Sequence, residues 1–247
     1  MGRMRFMNTE IDNLTMEETL VAVQNIIEKK NPAYVVTPNV DHIVRLETNK
    51  ELQAVYKDAS LILTDGKPLL WIAKWYGTPI KEKISGSDLF PKLCEMAAKK
   101  GYTMYFLGAA EGVAAKAAEN LKKRIQGLQV VGTYSPPYGF EKDDAELEKI
   151  RTQIKAVNPD ILIVGLSCPK QDKFMYDHYK ELGVPISFGL GASIDFEAGN
   201  IKRAPRWMSD NGFEWLYRIT QDPKRLVKRY LVDDVKIFKM AVKYRRI

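Results

Sequence analysis

Residues 59–68 read Ala59-Ser60-Leu61-Ile62-Leu63-Thr64-Asp65-Gly66-Lys67-Pro68. Leu61, Ile62 and Leu63 form a short unbroken apolar run, the pattern of a strand buried on both faces. The run stops at Thr64-Asp65-Gly66. Glycine permits a tight turn there, and Pro68 with the apolar residues after it suits the start of a helix. Asp65 is thereby carried to the carboxyl end of a core strand, the edge at which open α/β sheets bind ligands. Taken alone, an Asp in this position more commonly caps the helix that follows.

Working outward, the same grammar recurs. Residues 8–13 read as a turn or short strand. Thr15-Met16-Glu17-Glu18 has the spacing of a capping box, and Leu20, Val21, Val23, Ile26 and Ile27 continue as a helical stripe that Asn31-Pro32 ends. Ala33-Tyr34-Val35-Val36 is a strand that runs into Thr37-Pro38-Asn39-Val40-Asp41-His42. That polar cluster is either the cap of a helix over 40–56 or a ligand loop beside Asp65. A helix follows over 69–75, then another through Lys100 with Ser85 or Ser87 as its cap and Gly101 as its terminating glycine.

Downstream, a strand over 102–107 ends in Gly108-Ala109-Ala110-Glu111-Gly112. A small-residue turn before a helix N-terminus is either a phosphate cradle or a packing turn. Strands follow over 128–134, 160–166 and 184–188, with a helix over 143–157. The second of these strands is apolar enough to be central, and it ends at Ser167-Cys168-Pro169-Lys170-Gln171-Asp172. The third leads into Gly189-Leu190-Gly191-Ala192-Ser193. Alternating strands and helices predict an α/β fold: a Rossmann-like, mostly parallel sheet flanked by helices, with right-handed crossovers.

The composition changes near residue 196, which divides the chain into a core over 1–195 and a basic helical C-terminal appendage over 196–247. The net charge is +7, yet the residues from Ile201 onward hold 13 Lys and Arg against 5 Asp and Glu, so the rest is nearly neutral. Such asymmetry points to an anionic partner: lipid head groups, nucleic acid or a phosphorylated ligand. Asp222-Pro223 breaks the appendage, and Leu226, Val227, Tyr230, Leu231, Val235 and Phe238 recur at helical spacing in a second helix over 224–244. That helix either packs on the core or forms an interfacial surface for a membrane or a subunit.

Other classes are poorly supported. The two cysteines, Cys94 and Cys168, do not make a disulfide scaffold and fit a reducing compartment. No signal peptide is read at the N-terminus, and no run approaches the roughly 18 apolar residues of a spanning helix. With only His42 and His178, a histidine-rich metal site is not expected, and no Asp-x-Asp, Gly-x-Ser-x-Gly or Walker loop occurs.

Taken together, Thr37-Pro38-Asn39-x-Asp41, Thr64-Asp65-Gly66, Gly86-Ser87-Asp88-Leu89, Gly108, Pro169-Lys170-Gln171-Asp172 and the run from Gly191-Ala192 through Asp195-Phe196, Ala198-Gly199, Arg203-Ala204-Pro205 and Trp207 resemble the WecG/TagA/CpsF glycosyltransferase family. The ending, with Glu214-Trp215-Leu216-Tyr217-Arg218, Asp222-Pro223, Arg225 and Arg229-Tyr230, is similar too. The match runs over about residues 10–235 with its motifs in order. Departures are Lys83 where the family has arginine, Asp172 and Phe174 for Glu and Trp, and Asp222 for Glu. A monodentate cation at position 83 replaces a fork.

The resemblance implies inverting transfer of a sugar from a UDP-linked donor to an undecaprenyl-diphosphate-linked acceptor, with no metal and no cofactor required. The branch it looks most like moves N-acetylmannosamine onto undecaprenyl-diphosphate-linked N-acetylglucosamine, building the wall teichoic acid linkage unit. UDP-linked mannosaminuronic acid or glucose are the alternative donors, and a basic-tailed nucleic-acid-binding module is the distant one. In this reading Asp65 is the base and Thr37 and Asn39 orient a sugar. Lys83, the Gly108 turn, Gln171, Gly191, Arg206, Arg218 and Arg225 hold substrate and stabilise leaving UDP. The expected setting is cytoplasmic, peripheral on the inner face of the membrane, with the basic tail on anionic lipid and a homo-oligomer hiding apolar surface elsewhere.

Overall fold

The computed structural model describes residues 3–245, with the side chains of Arg206, Asp210 and Arg225 outside the described residues. The chain opens with an antiparallel hairpin, β1 (Arg3–Phe6) and β2 (Thr9–Asp12). Then come α1 (Met16–Lys29), β3 (Tyr34–Val36), α2 (Val40–Leu46), α3 (Lys50–Asp58), β4 (Leu61–Ile62), α4 (Lys67–Trp75) and α5 (Gly86–Lys100). The second half of the core adds β5 (Thr103–Gly108), α6 (Val113–Arg124), β6 (Gln129–Tyr134), α7 (Asp144–Val157), β7 (Ile161–Gly165), α8 (Lys170–Leu182), β8 (Ile186–Gly189) and α9 (Ser193–Ala198). The appendage holds α10 (Arg206–Asp210), α11 (Glu214–Gln221), α12 (Pro223–Lys228), a π-helical turn (Arg229–Asp233) and α13 (Lys236–Arg245).

Six strands form one sheet in the order β4-β3-β8-β7-β5-β6, and every pair is parallel. The expected α/β architecture is therefore observed, with β7 in the interior. Alternate residues feed two cores. Tyr34, Val36, Ile62, Leu162 and Val164 face α2, α3, α7 and α8, while Val35, Leu61, Leu63, Ile161 and Ile163 face α1, α5, α6 and α9. Burial on both faces explains why these strands read as apolar runs. The hairpin guards the β4 edge, where the Ile62 N–H donates to Asp12 Oδ2 at 2.8 Å.

Local signals act as their chemistry requires. Thr15 and Glu18 form the reciprocal capping box of α1, Ser85 is the cap of α5, and Gly101 ends α5 in the left-handed region. Two long-helix expectations fail. The segment over 40–56 is two helices, because Asn49 accepts from the Leu52 N–H at 3.0 Å and starts a new helix. The segment over 224–244 is broken at the π turn, where the Asp234 N–H reaches back to the Arg229 carbonyl at 2.8 Å.

The appendage leaves the core and returns to it. Ile237, Met240 and Ala241 of α13 are buried in the core, Tyr76 donates to the Ala241 carbonyl at 2.7 Å, and Lys243 pairs with Glu47 at 2.6 Å. Of the apolar stripe in its second half, only Leu226 is buried, while Leu231 and Phe238 are 58% and 69% exposed. Among the described residues no helix is long and apolar enough to cross a membrane.

Gly108 ends β5 at φ +110°, with Ala109 N–H donating to the Gly165 carbonyl at 2.8 Å. A Cβ at Gly108 would lie 2.5 Å from the Gly165 oxygen, with no flexible side chain to yield. Gly108→Ala is expected to cost about 2–4 kcal/mol from backbone strain and overpacking. The corresponding fall in Tm is roughly 5–15 °C for a chain of this size. An unchanged melting curve would mean that the two strand ends can separate.

Candidate active site

The carboxyl ends of β3, β4, β7 and β8 open into one cavity of about 920 Å³, closed on its far side by α11, α12 and the π turn of the appendage. The volume suits a nucleotide-sugar-sized ligand. Polar strand ends form its floor, and Arg218, Lys228 and Arg229 enter from the appendage.

Asp65 sits on that floor because the β3–β4 pairing continues past the strands. Leu63 N–H donates to the Val36 carbonyl at 2.9 Å, and Asp65 N–H donates to the Pro38 carbonyl at 2.8 Å. Gly66, at φ +104°, then turns the chain into α4. Gly66 is itself the N-cap residue of α4, and no side chain caps that helix, so Asp65 is not a cap. Among the described residues its carboxylate accepts no hydrogen bond. Enclosure by protein pushes its pKa up to about 6, and Glu214 adds to this, while Arg218, Lys83 and His42 hold it down.

Several predicted residues surround it. Thr37 is buried and donates to the Gly189 carbonyl at 3.3 Å, tying the β3 loop to the end of β8. Asn39 caps α2: its Oδ1 accepts from Asp41 N–H at 3.1 Å and from Arg229 Nη2 at 3.2 Å. Its amide NH₂ has no acceptor among the described residues. Gln171 is buried, and its Oε1 accepts from Gly191 N–H at 2.9 Å, joining the α8 start to the β8 loop. Thr37, Asn39, Asp65, Gln171, Gly191 and Arg218 all line the cavity.

Others lie elsewhere. Gly108 is not among the lining residues, and its strand-end contact with Gly165 is the packing turn rather than the cradle. Lys83 also stands outside the lining and pairs with Asp88 at 3.0 Å, where Arg203 binds at 2.6 Å. Although burial works against the Asp88 carboxylate, these two cations and Ser85 bring its pKa down to about 2. The Gly-Ser-Asp motif thus anchors the appendage, while the Lys83 charge still acts on Asp65. Arg206 and Arg225 fall on α10 and α12, but their side chains lie outside the described residues.

Sequence reasoning missed Arg229, which bridges Asn39 and Asp41, and Glu214, which pairs with Arg218 at 3.0 Å. It also missed a buried group behind the floor. His42 Nε2 stands 3.6 Å from Asp172 Oδ2, and the Cys168 sulfur is close by. Burial opposes charge on His42, but the Cys168 sulfur and Asp172 outweigh it and shift its pKa upward. Cys168 and Asp172 stand four residues apart in one polar strand end and His42 in another, so each stretch was visible in the sequence but their meeting was not.

The chain matches the model described as the glycosyl transferase WecG/TagA/CpsF family over residues 4–247. It is 33% identical over 199 residues, covering 81% of this chain and 75% of the relative, to an N-acetylglucosaminyldiphosphoundecaprenol N-acetyl-beta-D-mannosaminyltransferase of Bacillus spizizenii. A protein of the same name from Bacillus subtilis is 29% identical over 202 residues, with 82% and 77% coverage. One from Staphylococcus aureus is 25% identical over 227 residues, with 91% and 87% coverage.

The Asp65 carboxyl binds its proton more tightly in the folded chain than in the unfolded one, about 6 against an ordinary 3.8. The folded state therefore loses stability as pH rises from about 4 to about 6. Asp65→Asn removes that ionisation and is expected to gain about 1–2 kcal/mol at pH 7.5, allowing for the part of the group open to solvent. Urea denaturation at pH 7.5 and at pH 4 checks this. The gain should shrink at the lower pH, and a gain equal at both would assign it to packing.

Proposed function

Because this chain belongs to the WecG/TagA/CpsF glycosyl transferase family, we propose that it moves N-acetylmannosamine from a UDP-linked donor to the 4-hydroxyl of N-acetylglucosamine on undecaprenyl diphosphate. The product is the linkage disaccharide of wall teichoic acid. The observation that carries the reading is Asp65: a carboxylate on the cavity floor, without a hydrogen-bond donor among the described residues, its pKa pushed up to about 6.

Inversion in one displacement needs a base for the acceptor hydroxyl while the anomeric carbon is attacked from the face opposite UDP. A general base works best with a pKa near the operating pH, and enclosure brings Asp65 toward it. Thr37 and the Asn39 amide orient the sugars. Negative charge grows on UDP as the glycosidic bond breaks. Arg218, half of an ion pair with Glu214, meets it together with the Gln171–Gly191 loop and the cations of the appendage. Lys83 contributes through its field on Asp65, and Arg206 and Arg225 are assigned to the same anionic substrate.

The lipid-linked acceptor is met at a membrane face. Leu231, Val232, Val235, Phe238 and Val242 are all exposed in the last third of the appendage, beside Lys and Arg. An apolar face edged with cations suits an anionic lipid surface, at roughly 1 kcal/mol per well-placed cation. Away from the membrane, a second copy covers that face. The cytoplasmic leaflet supplies such a surface.

A donor panel of UDP-linked N-acetylmannosamine, mannosaminuronic acid and glucose, offered with a lipid-diphosphate N-acetylglucosamine acceptor, tests the assignment. Only the first is expected to turn over, and efficient use of another reassigns the donor. Asp65→Asn should keep UDP binding and lower kcat by about 10² or more, and wild-type kcat should fall as pH drops below about 6. Undiminished turnover in that variant removes Asp65 as the base. Leu231→Glu with Phe238→Glu should stop the protein sedimenting with anionic vesicles while turnover of a short-chain soluble acceptor persists. Unchanged sedimentation would place the lipid contact on another face.

A further inference from the structure

Asp172 is the most awkward group in the molecule. It is fully buried, and among the described residues neither carboxylate oxygen has a hydrogen-bond partner. A buried carboxylate that accepts no hydrogen bond is costly and calls for a compensating cation. His42, whose pKa Asp172 helps to raise, is itself buried and stands at ion-pair distance, with Nε2 3.6 Å from Asp172 Oδ2, too long for a hydrogen bond. The other ring nitrogen is engaged with the Asn39 side chain, Nδ1 to Oδ1 at 2.8 Å, which leaves Nε2 aimed at the carboxylate. Cys168 completes the group. The three ligand atoms lie within 4.8 Å of one another.

Ligand atoms around a tetrahedral zinc ion are about 3.3–3.8 Å apart, given bond lengths of 2.0–2.3 Å. The 3.6 Å nitrogen–oxygen gap falls in that range, and the full set, spread over up to 4.8 Å, would draw in by about 1 Å to close on one ion. We propose that His42 Nε2, Asp172 and the Cys168 sulfur form a site for a thiophilic divalent cation, Zn²⁺ above all, with its fourth position open to the substrate cavity. His42 and Cys168 line that cavity and Asp172 lies behind its floor, so the ion has an entry path. On binding, the Cys168 thiol and any imidazolium release their protons to water. A thiolate, a carboxylate and a neutral imidazole then balance the two positive charges. The Asn39 contact on Nδ1 orients the ring as outer-shell partners of metal-bound histidines do. A hard cation such as Mg²⁺ is disfavoured by the sulfur and by so few oxygens.

The two cysteines make the test clean: Cys94 is buried, so a thiol reagent reads Cys168. Full-length protein is treated with DTNB alone, with Zn²⁺ and with Mg²⁺. Zn²⁺ should slow the reaction tenfold or more, and Mg²⁺ should not. Asp172→Asn and His42→Gln should each lose the protection, with circular dichroism reporting whether they fold. Cys168→Ser, at the accessible position, guards against misfolding in those two. Co²⁺ should give a thiolate charge-transfer band with the wild-type protein and none with Cys168→Ser. Absence of that band, absence of protection by Zn²⁺, or protection that survives intact in folded Asp172→Asn would each overturn the site. None of these readouts depends on sugar transfer.

Discussion

The hydrogen bond from Asp65 N–H to the Pro38 carbonyl, at 2.8 Å, is the constraint on which the site depends. β4 pairs with β3 over only two residues, yet the pairing is prolonged through Leu63 and Asp65 into the loops. Two loops that would otherwise diverge are held side by side at the sheet edge. One carries the carboxylate, and the other carries Thr37 and Asn39. A parallel sheet delivers all its strand ends to the same edge, so one lateral bond there fixes the relative position of three functional side chains.

The appendage completes what the sheet begins. Its charge is not a diffuse coat but a set of aimed contacts. Arg203 and Lys83 converge on Asp88, Arg229 reaches Asn39 and Asp41, and α13 returns to bury Ile237 and Met240 against the core. Each contact joins the last fifth of the chain to a loop at the sheet's carboxyl edge or to the helices beside it. The exposed stripe of Leu231, Val235 and Phe238 is what remains when the inward face is used for docking. α13 is thus apolar on both sides: Ile237, Met240 and Ala241 hold it to the core, and Phe238 and Val242 face outward.

Most of the fold was legible because its signals are local. The Thr15–Glu18 capping box, the Gly101 terminator and the buried apolar run of β7 need only neighbours in sequence. Asn49 was passed over because an Asn inside an apolar periodicity reads as a tolerated surface residue until its side chain is seen on the Leu52 N–H. Gly108 was ambiguous for a sharper reason: a turn that cradles phosphate and a turn that lets two strands touch demand the same absence of a side chain. Lys83 was read as a substrate contact, but it stands outside the cavity lining, and the acid it binds, Asp88, could be paired with it only in three dimensions. Cys168 and Asp172 are close neighbours in sequence, but His42 lies some 126 residues before them, and only the sheet geometry brings it to them.

The proton affinity of Asp65 links these layers. Enclosure is the first cause of its raised pKa, and two of the charges that modulate it, Glu214 and Arg218, belong to α11. A carboxylate at an open sheet edge would be solvated and would titrate near the ordinary value. The raised proton affinity is therefore made by the appendage as much as by the strand that carries Asp65. Arg218 acts in both directions. Its charge restrains Asp65 from holding a proton too tightly, and the same guanidinium lies over the Phe196 ring at 5.5 Å, within the cavity that would receive an anionic leaving group. Any movement that lifts α11 away would solvate Asp65 and withdraw that cation at once. In this architecture, docking of the appendage and the enclosure that raises the Asp65 proton affinity are a single event.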